Sequence, residues 1–395
     1  MINENMRGLG AKRSVIRELF EYGKARKAEI GDENVFDFSL GNPSVPSPEA
    51  VNATLKNLLE TRDPAQLHAY TSAQGDAGVR QAIADYLNRT YRADVTGDCL
   101  YLTAGAAASL TVSLTAILNP DDEVILLAPF FPEYRVFVER TGARVVPVLC
   151  RTDDFQPDLA ALEAAITPRT RAIIVNSPNN PTGAVLTEEN ATRLCDVLRK
   201  ASDRIGQPIY LIADEPYREL VYGDVKVPYL TNLYDNTLAC YSFSKSLSLP
   251  GERIGYVLVS PRAENFTALY QAVCGAGRAL GFVCAPSLFQ YMIPSVLGLT
   301  ADLTVYDTNR RLLYGALTEY GFDVVRPDGA FYLFVRAPGG DANAFCEAAK
   351  KHELLLVPSD DFGCEGFVRI AYCVTTEQIE RSLPAFRALA ASYGL

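Results

Sequence analysis

Lys245 is the residue of this chain best placed to do covalent chemistry. It closes a Ser-Phe-Ser-Lys string at 242–245, directly after an apolar run that reads as a strand, and Arg253 follows eight residues later in GERIG. A lysine amine at a strand end can form an imine when its surroundings lower its pKa. Ser242, Ser244 and Arg253 would present two hydroxyls and a guanidinium to a phosphate dianion. A lysine taken alone is most often a solvated surface group; the full string SFSK…GERIG favours the nucleophile.

Asp214 and Tyr217 stand in ADEPY, again just after an apolar strand. A carboxylate beside a pyridine-type nitrogen keeps it protonated, and the protonated ring draws electrons from a substrate carbanion. A tyrosine three residues on can reach a phenolic oxygen on the same ring. Asn180, in NSPNNPTG, can donate to that oxygen from a loop that prolines hold extended or turned. Gly105-Ala106-Ala107 opens a helix after a strand, so its free N–H groups and dipole can hold an anion. Phe131 could stack on a flat ring. Arg369 lies among apolar neighbours and needs a partner, for which a carboxylate is the natural choice. Each also has a plain reading, as a turn, a core phenylalanine or a structural ion pair.

The elements that must position these residues alternate. Helical spacing covers 78–89, 104–118, 133–141 and 188–201, the last with Thr187 as its N-cap. Strand patterns cover 100–103, 123–127, 144–148, 171–176, 209–213, 238–243 and 254–259. Apolar strands alternating with helices imply a parallel sheet covered on both faces, with ligands at the carboxyl ends of its strands. The segments after those strands are AGAA, APFF, NSPNNPTG, DEPY and SFSK. Four of the five suit one anionic aromatic cofactor. Further on, strands are expected at 322–325, 331–335, 354–357 and 368–371, with helices at 342–351 and 376–390. A second, smaller α/β domain follows, with a helix at 14–28 packed against it. GNPSVPSP, at 41–48, would cross between the two.

Composition narrows the classes. The chain has 395 residues, 48% apolar and 21% charged, enough for two domains with large cores. A formal charge of −10 disfavours nucleic acid as a partner. Nine cysteines without a CxxC pair, several in apolar runs (Cys240, Cys274, Cys284), read as reduced thiols of a cytoplasmic protein. The two histidines, His68 and His352, lie far apart, so no metal site is expected. The opening MINENMRGLGAKRS lacks an apolar core and predicts no signal peptide, and no apolar run is long enough to span a membrane. A nicotinamide oxidoreductase finds only the near-match Gly275-x-Gly277-x-x-x-Gly281, off by one residue and with no clear strand before it.

With these motifs in place, the chain resembles the class I/II aminotransferases, pyridoxal 5′-phosphate (PLP) enzymes of fold type I and aspartate aminotransferase-like. The resemblance runs from GNPSVPSP to Arg369. It implies an α/β fold: a large domain, 47–290, whose mostly parallel seven-stranded sheet lies between helices and has one antiparallel member. A smaller domain, 1–46 with 291–395, would be joined by the N-terminal segment. It implies transfer of an amino group between an L-amino acid and a 2-oxo acid in a cytoplasmic homodimer with shared active sites. By the same resemblance Lys245 is the Schiff-base lysine, Asp214 pairs with the ring nitrogen, and Tyr217 and Asn180 bind the ring oxygen. Ser242, Ser244, Arg253 and the Gly105–Ala107 turn would hold the phosphate, and Phe131 would stack on the ring. Arg369 would grip the α-carboxylate, Gly41 would line the substrate entrance, and Tyr70 would reach the partner's phosphate. Ala106 and Ala107 stand where relatives often carry a hydroxyl or a lysine, which leaves backbone N–H groups alone there. Arg278, in CGAGRALG, is the candidate for a second carboxylate of aspartate- or glutamate-type substrates. The alternative on the same fold is a PLP-dependent carbon–sulfur β-lyase, which would use the same lysine.

Overall fold

The computed structural model describes residues 2–11 and 15–395. Twelve strands occur among them: Phe36–Asp37 (β1), Leu100–Thr103 (β2), Glu123–Ala128 (β3), Arg144–Leu149 (β4), Thr170–Asn176 (β5), Tyr210–Asp214 (β6), Thr237–Ser242 (β7), Gly255–Val259 (β8), Tyr332–Arg336 (β9), Leu354–Leu355 (β10), Val357–Pro358 (β11) and Phe367–Ala371 (β12). β2 to β8 form one seven-stranded sheet in the order β2-β8-β7-β6-β5-β3-β4. β8 alone runs against its neighbours; the other pairings, β7 through β4, are parallel. This is the mostly parallel sheet with one reversed member that the resemblance implies.

Both faces of the sheet are apolar because side chains alternate along each strand. Ile173, Leu211 and Ala239 enter one core. Their neighbours Ala172, Ile174, Ile212, Leu238 and Cys240 enter another, on the opposite face. Helices cover each face, among them Ala77–Tyr91 and Glu188–Ile205 on the first and Ala106–Ile117 on the second. Thr187 caps its helix as expected, its hydroxyl accepting from Asn190 N, and Gly206 ends it with φ 76°.

A third core joins Phe38, Val45, Tyr217, Leu220 and Tyr222 to residues between Ala301 and Ala390. Around it lie a three-stranded antiparallel sheet, β11-β12-β9, and the parallel pair β1 and β10. Two expected strands differ. The run 354–357 divides at Leu356, so that β10 pairs with β1 and β11 with β12. The run 322–325 makes only a single bridge, Val324 to Val335. Pro327 lacks a donor there, and Asp328 and Gly329 both send their N–H groups to Gly183 O. That segment is tied to the NSPNNPTG loop instead of a sheet.

The helix expected at 14–28 starts on Ser14, outside the described residues; from Val15 it continues to Ile30. Gly275 and Gly277 lie inside a helix, Phe266–Leu280, that the sequence reading did not anticipate, so they form no dinucleotide turn. No helix among the described residues is long and apolar enough to cross a membrane.

Candidate active site

A cavity of about 310 Å³ opens at the carboxyl edge of the large sheet. Twelve of the expected site residues line it. Lys245, Ser242 and Ser244 come from the end of β7, Asp214 and Tyr217 from β6, Asn180 from the loop after β5, and Phe131 from the loop after β3. Ala106 and Ala107 open the helix after β2, and Gly41, Arg253 and Arg369 complete the set. Gly105 lies just behind, and Tyr70 and Arg278 lie outside the cavity of their own chain.

One end is built for an anion. Ser242 and Ser244 hydroxyls lie 2.7 Å apart, and Arg253 Nη1 donates to Ser244 Oγ at 3.3 Å. Gly105, at φ 84°, precedes the helix Ala106–Ile117 and supplies no side-chain cap, which leaves the first N–H groups free of one. A Cβ at Gly105 would come 2.8 Å from Arg253 Nη2, so the close approach of guanidinium and helix start requires glycine.

At the floor, Asn176 Nδ2 donates to Asp214 O at 2.9 Å, and Tyr134 donates to Asp214 Oδ2. Oδ1 of Asp214 is buried with no partner among the described residues. Burial raises this carboxyl to about 7, although the Tyr134 hydrogen bond opposes the rise. Lys245 Nζ donates to Gly41 O at 2.7 Å. Burial lowers its ammonium to about 8, with Arg253 and Arg369 adding to the shift. A lysine in that range supplies a free amine near neutral pH.

Arg369, 2% exposed, sits in the middle strand β12. It donates from Nη1 to Asn180 Oδ1 at 3.1 Å and from Nη2 to Ser39 O at 2.5 Å, while Nε has no partner among the described residues. Because Asn180 Oδ1 is taken, its Nδ2 remains to donate elsewhere. Tyr217 is buried and pairs hydroxyl to hydroxyl with Tyr332 at 2.9 Å. The residues present therefore fit one flat anionic cofactor with a protonatable ring nitrogen, and a carboxylate beside it.

Several lining residues were missed: Tyr134, Asn176, Tyr332, Ile16, Leu110 and Phe137. Asn176 was within reach of the strand-end rule, since it is the last residue of β5. Tyr134 lies three residues after Phe131, in the first turn of the helix Glu133–Glu139. Tyr332 had no signal, because an aromatic in an apolar strand reads as core.

Tyr70 is 95% exposed, and Arg278 is exposed near the end of its helix. The two occupy one surface. Cys284 bonds Ala73 O through its N–H and Thr71 O through its thiol, both at 3.3 Å, drawing the Tyr70 loop to the end of the Arg278 helix.

Against this geometry the comparisons are specific. The family model for class I and II aminotransferases matches residues 33–386. The chain belongs to that family, and it is an aminotransferase. The aspartate aminotransferase of Thermotoga maritima is 29% identical over 366 residues, covering 91% of this chain and 92% of that one. The aromatic-amino-acid aminotransferase 2 of Thermococcus litoralis is 27% identical over 387 residues, covering 94% of each. A crystal structure of an aminotransferase from Eubacterium rectale superposes with a TM-score of 0.98 at 56% identity, covering all of both chains. Relatives named for acidic and for aromatic amino acids match about equally, so likeness defines the reaction class and leaves the substrate side chain open.

The raised Asp214 carboxyl has a consequence for the cofactor-free protein. Between about pH 4 and 7 the folded state holds a proton that the unfolded state has lost, so stability falls as pH rises through that window and stays reduced above it. Without cofactor, Asp214→Asn should therefore melt at a higher temperature than the wild type at pH 8. The gap should close near pH 4. Calorimetry showing no gap at pH 8 would mean that Asp214 is not held as a strained carboxylate.

Proposed function

We propose that the cavity binds PLP and that the enzyme uses it to move an amino group between an L-amino acid and a 2-oxo acid. The observation that carries this reading is the convergence of three groups on one cavity. They are a buried amine of lowered pKa at Lys245, a carboxylate oxygen of Asp214 with no partner among the described residues, and a buried guanidinium at Arg369. When bound, PLP supplies an aldehyde carbon for amine exchange and a ring that withdraws electrons from the substrate α-carbon.

The chain's own groups have separable tasks. Lys245 would hold the cofactor through Nζ. Ser242, Ser244, Arg253 and the N–H groups of Ala106 and Ala107 would hold its phosphate. Phe131 would lie against the ring, and Asn180 Nδ2 and the Tyr217 hydroxyl would donate to the ring oxygen. Asp214 would keep a proton on the ring nitrogen; Tyr134 donates to that carboxylate, and Asn176 holds the residue through its backbone carbonyl. Arg369 would take the substrate α-carboxylate at the cavity wall that Gly41 shares. Lys245 Nζ would also hold and move the proton of the substrate α-carbon, as general base and acid.

The working unit we infer is a cytoplasmic homodimer. The nine cysteines are all unpaired, consistent with a reducing compartment. Tyr70, Phe282 and Val283 make an exposed apolar patch beside Arg278, and a partner would cover it. We infer a division into 47–290 and 1–46 with 291–395, which most core residues follow, although Tyr217, Leu220 and Tyr222 enter the third core and Met292, Ile293 and Val296 enter the first.

Transfer of a ¹⁵N label from an amino acid to a 2-oxo acid, with ping-pong kinetics, tests the reaction. Ammonia and pyruvate released without an acceptor would point instead to a β-lyase. Arg369→Leu should weaken kcat/KM for acidic and neutral amino acids alike, by about 2–5 kcal/mol. A loss confined to one substrate class would remove Arg369 from the α-carboxylate. Sharing of sites is checked by mixing Lys245→Ala with Tyr70→Phe subunits. Hybrid dimers should regain one intact site; activity equal to the average of the two pure variants would contradict it.

A further inference from the structure

Tyr332 touches three parts of the site at once. It lies on β9, 2% exposed, and its hydroxyl is 2.9 Å from that of Tyr217. Its ring faces the Arg369 guanidinium, with Cζ 4.9 Å from the ring centroid. Gly41 presses against the hydroxyl so closely that a Cβ there would come within 2.1 Å of it. That same Gly41 carries the carbonyl that accepts from Lys245. A side chain at residue 41 would thus push Tyr332 off Tyr217 or push the Lys245 acceptor away.

The Tyr217–Tyr332 pair contains two protons and two oxygens, and either hydroxyl can be the donor. Neither has another hydrogen-bond partner among the described residues. A phenol has one proton to give. If Tyr217 gives its proton to the cofactor's ring oxygen, the hydrogen bond between the tyrosines must run from Tyr332 to Tyr217. Accepting that bond makes Tyr217 a stronger donor, because hydrogen bonds in a chain polarise one another.

We propose that Tyr332 is a positioning residue: its hydroxyl donates to Tyr217 and so aims the Tyr217 proton at the cofactor's ring oxygen, while its ring holds the Arg369 guanidinium in place. This rests on the reading of the cavity as a PLP site. The hydroxyl and the ring have different consequences, and they can be separated. Losing the hydroxyl weakens donation to the ring oxygen. More negative charge then stays on that oxygen and holds the proton on the neighbouring lysine-linked nitrogen more tightly. Losing the ring removes one of the two aromatic faces that Arg369 meets, the other being Phe362 at 5.3 Å. The charged and titratable groups that face the pair are Arg369, Asp214 and Cys373, with Lys245 beyond Gly41. Neither substitution below alters any of them.

The experiment loads PLP into wild type, Tyr332→Phe and Tyr332→Leu and follows the cofactor's visible absorbance against pH. Tyr332→Phe keeps the ring and the fold. It should move the midpoint of the colour change upward by about half a unit to one unit, the worth of one hydrogen bond. Tyr332→Leu should show the same shift and also raise KM for the amino acid roughly five- to thirtyfold, the worth of a desolvated cation–π contact. Phenylalanine thus rescues KM but not the midpoint. A Tyr332→Phe enzyme that titrates with the wild type overturns the proton-aiming role, and equal KM values for the two variants overturn the Arg369 role. A wild type that develops no visible absorbance with PLP fails at the earlier step and overturns the cofactor reading itself.

Discussion

Gly255 pairs with Ser242 on one side and with Thr103 on the other, and this short ladder brings three distant motifs to one point. The parallel strands all end at one edge, which is where their following loops can meet a ligand. β8 runs the other way, so its beginning, not its end, lies at that edge. Arg253, two residues before the strand, therefore arrives beside Ser244, and the helix start after Thr103 arrives beneath the same guanidinium. A slip of one residue in this pairing would turn the strand's side chains to the wrong faces and lose the register of all three. The anion cradle is a consequence of one reversed strand in a parallel sheet.

Around that cradle the protein buries charge with too few partners of its own. Among the described residues Asp214 Oδ1 finds no donor and Arg369 Nε no acceptor, and Lys245 shares its cavity with two arginines. Burial of this kind costs several kcal/mol per group unless it is compensated. The shifts of Asp214 and Lys245 toward neutrality are the same cost seen in protonation. A ligand with a cationic ring nitrogen, an anionic tail and a carbonyl would relieve each group, so the strain becomes binding and catalytic bias. Rigidity is supplied from beneath. On the Asp214 segment, Arg218 is buried in an ion pair with Glu215 and lies beside the stacked rings of Tyr91 and Tyr229, 5.2 and 4.9 Å from their centroids.

Much of this was readable in advance, and the reason is local. The seven sheet strands have apolar, β-branched runs bounded by turns, and their ends differ from expectation by at most one residue. The groups that meet the ligand follow those ends, so a rule about strand edges finds Lys245, Asp214 and Asn180 together. What could not be read depends on pairing between distant segments. Leu354 and Val357 belong to different sheets because Phe36 and Arg369 claim them from opposite sides. The run 322–325 has strand-like residues, but its continuation bonds Gly183. Tyr332 reads as core in sequence and becomes part of the site only because Gly41 leaves room for its hydroxyl. Tyr70 and Arg278 are exposed and do not line the cavity.

The account turns on one covalent bond, between Lys245 Nζ and the cofactor. Borohydride reduction of the PLP-loaded protein converts that linkage to a stable amine, and a tryptic map with mass spectrometry locates it. The account predicts a single modified peptide bearing the cofactor on Lys245 within SFSK. Modification spread over surface lysines, or fixed on any other lysine, would contradict it.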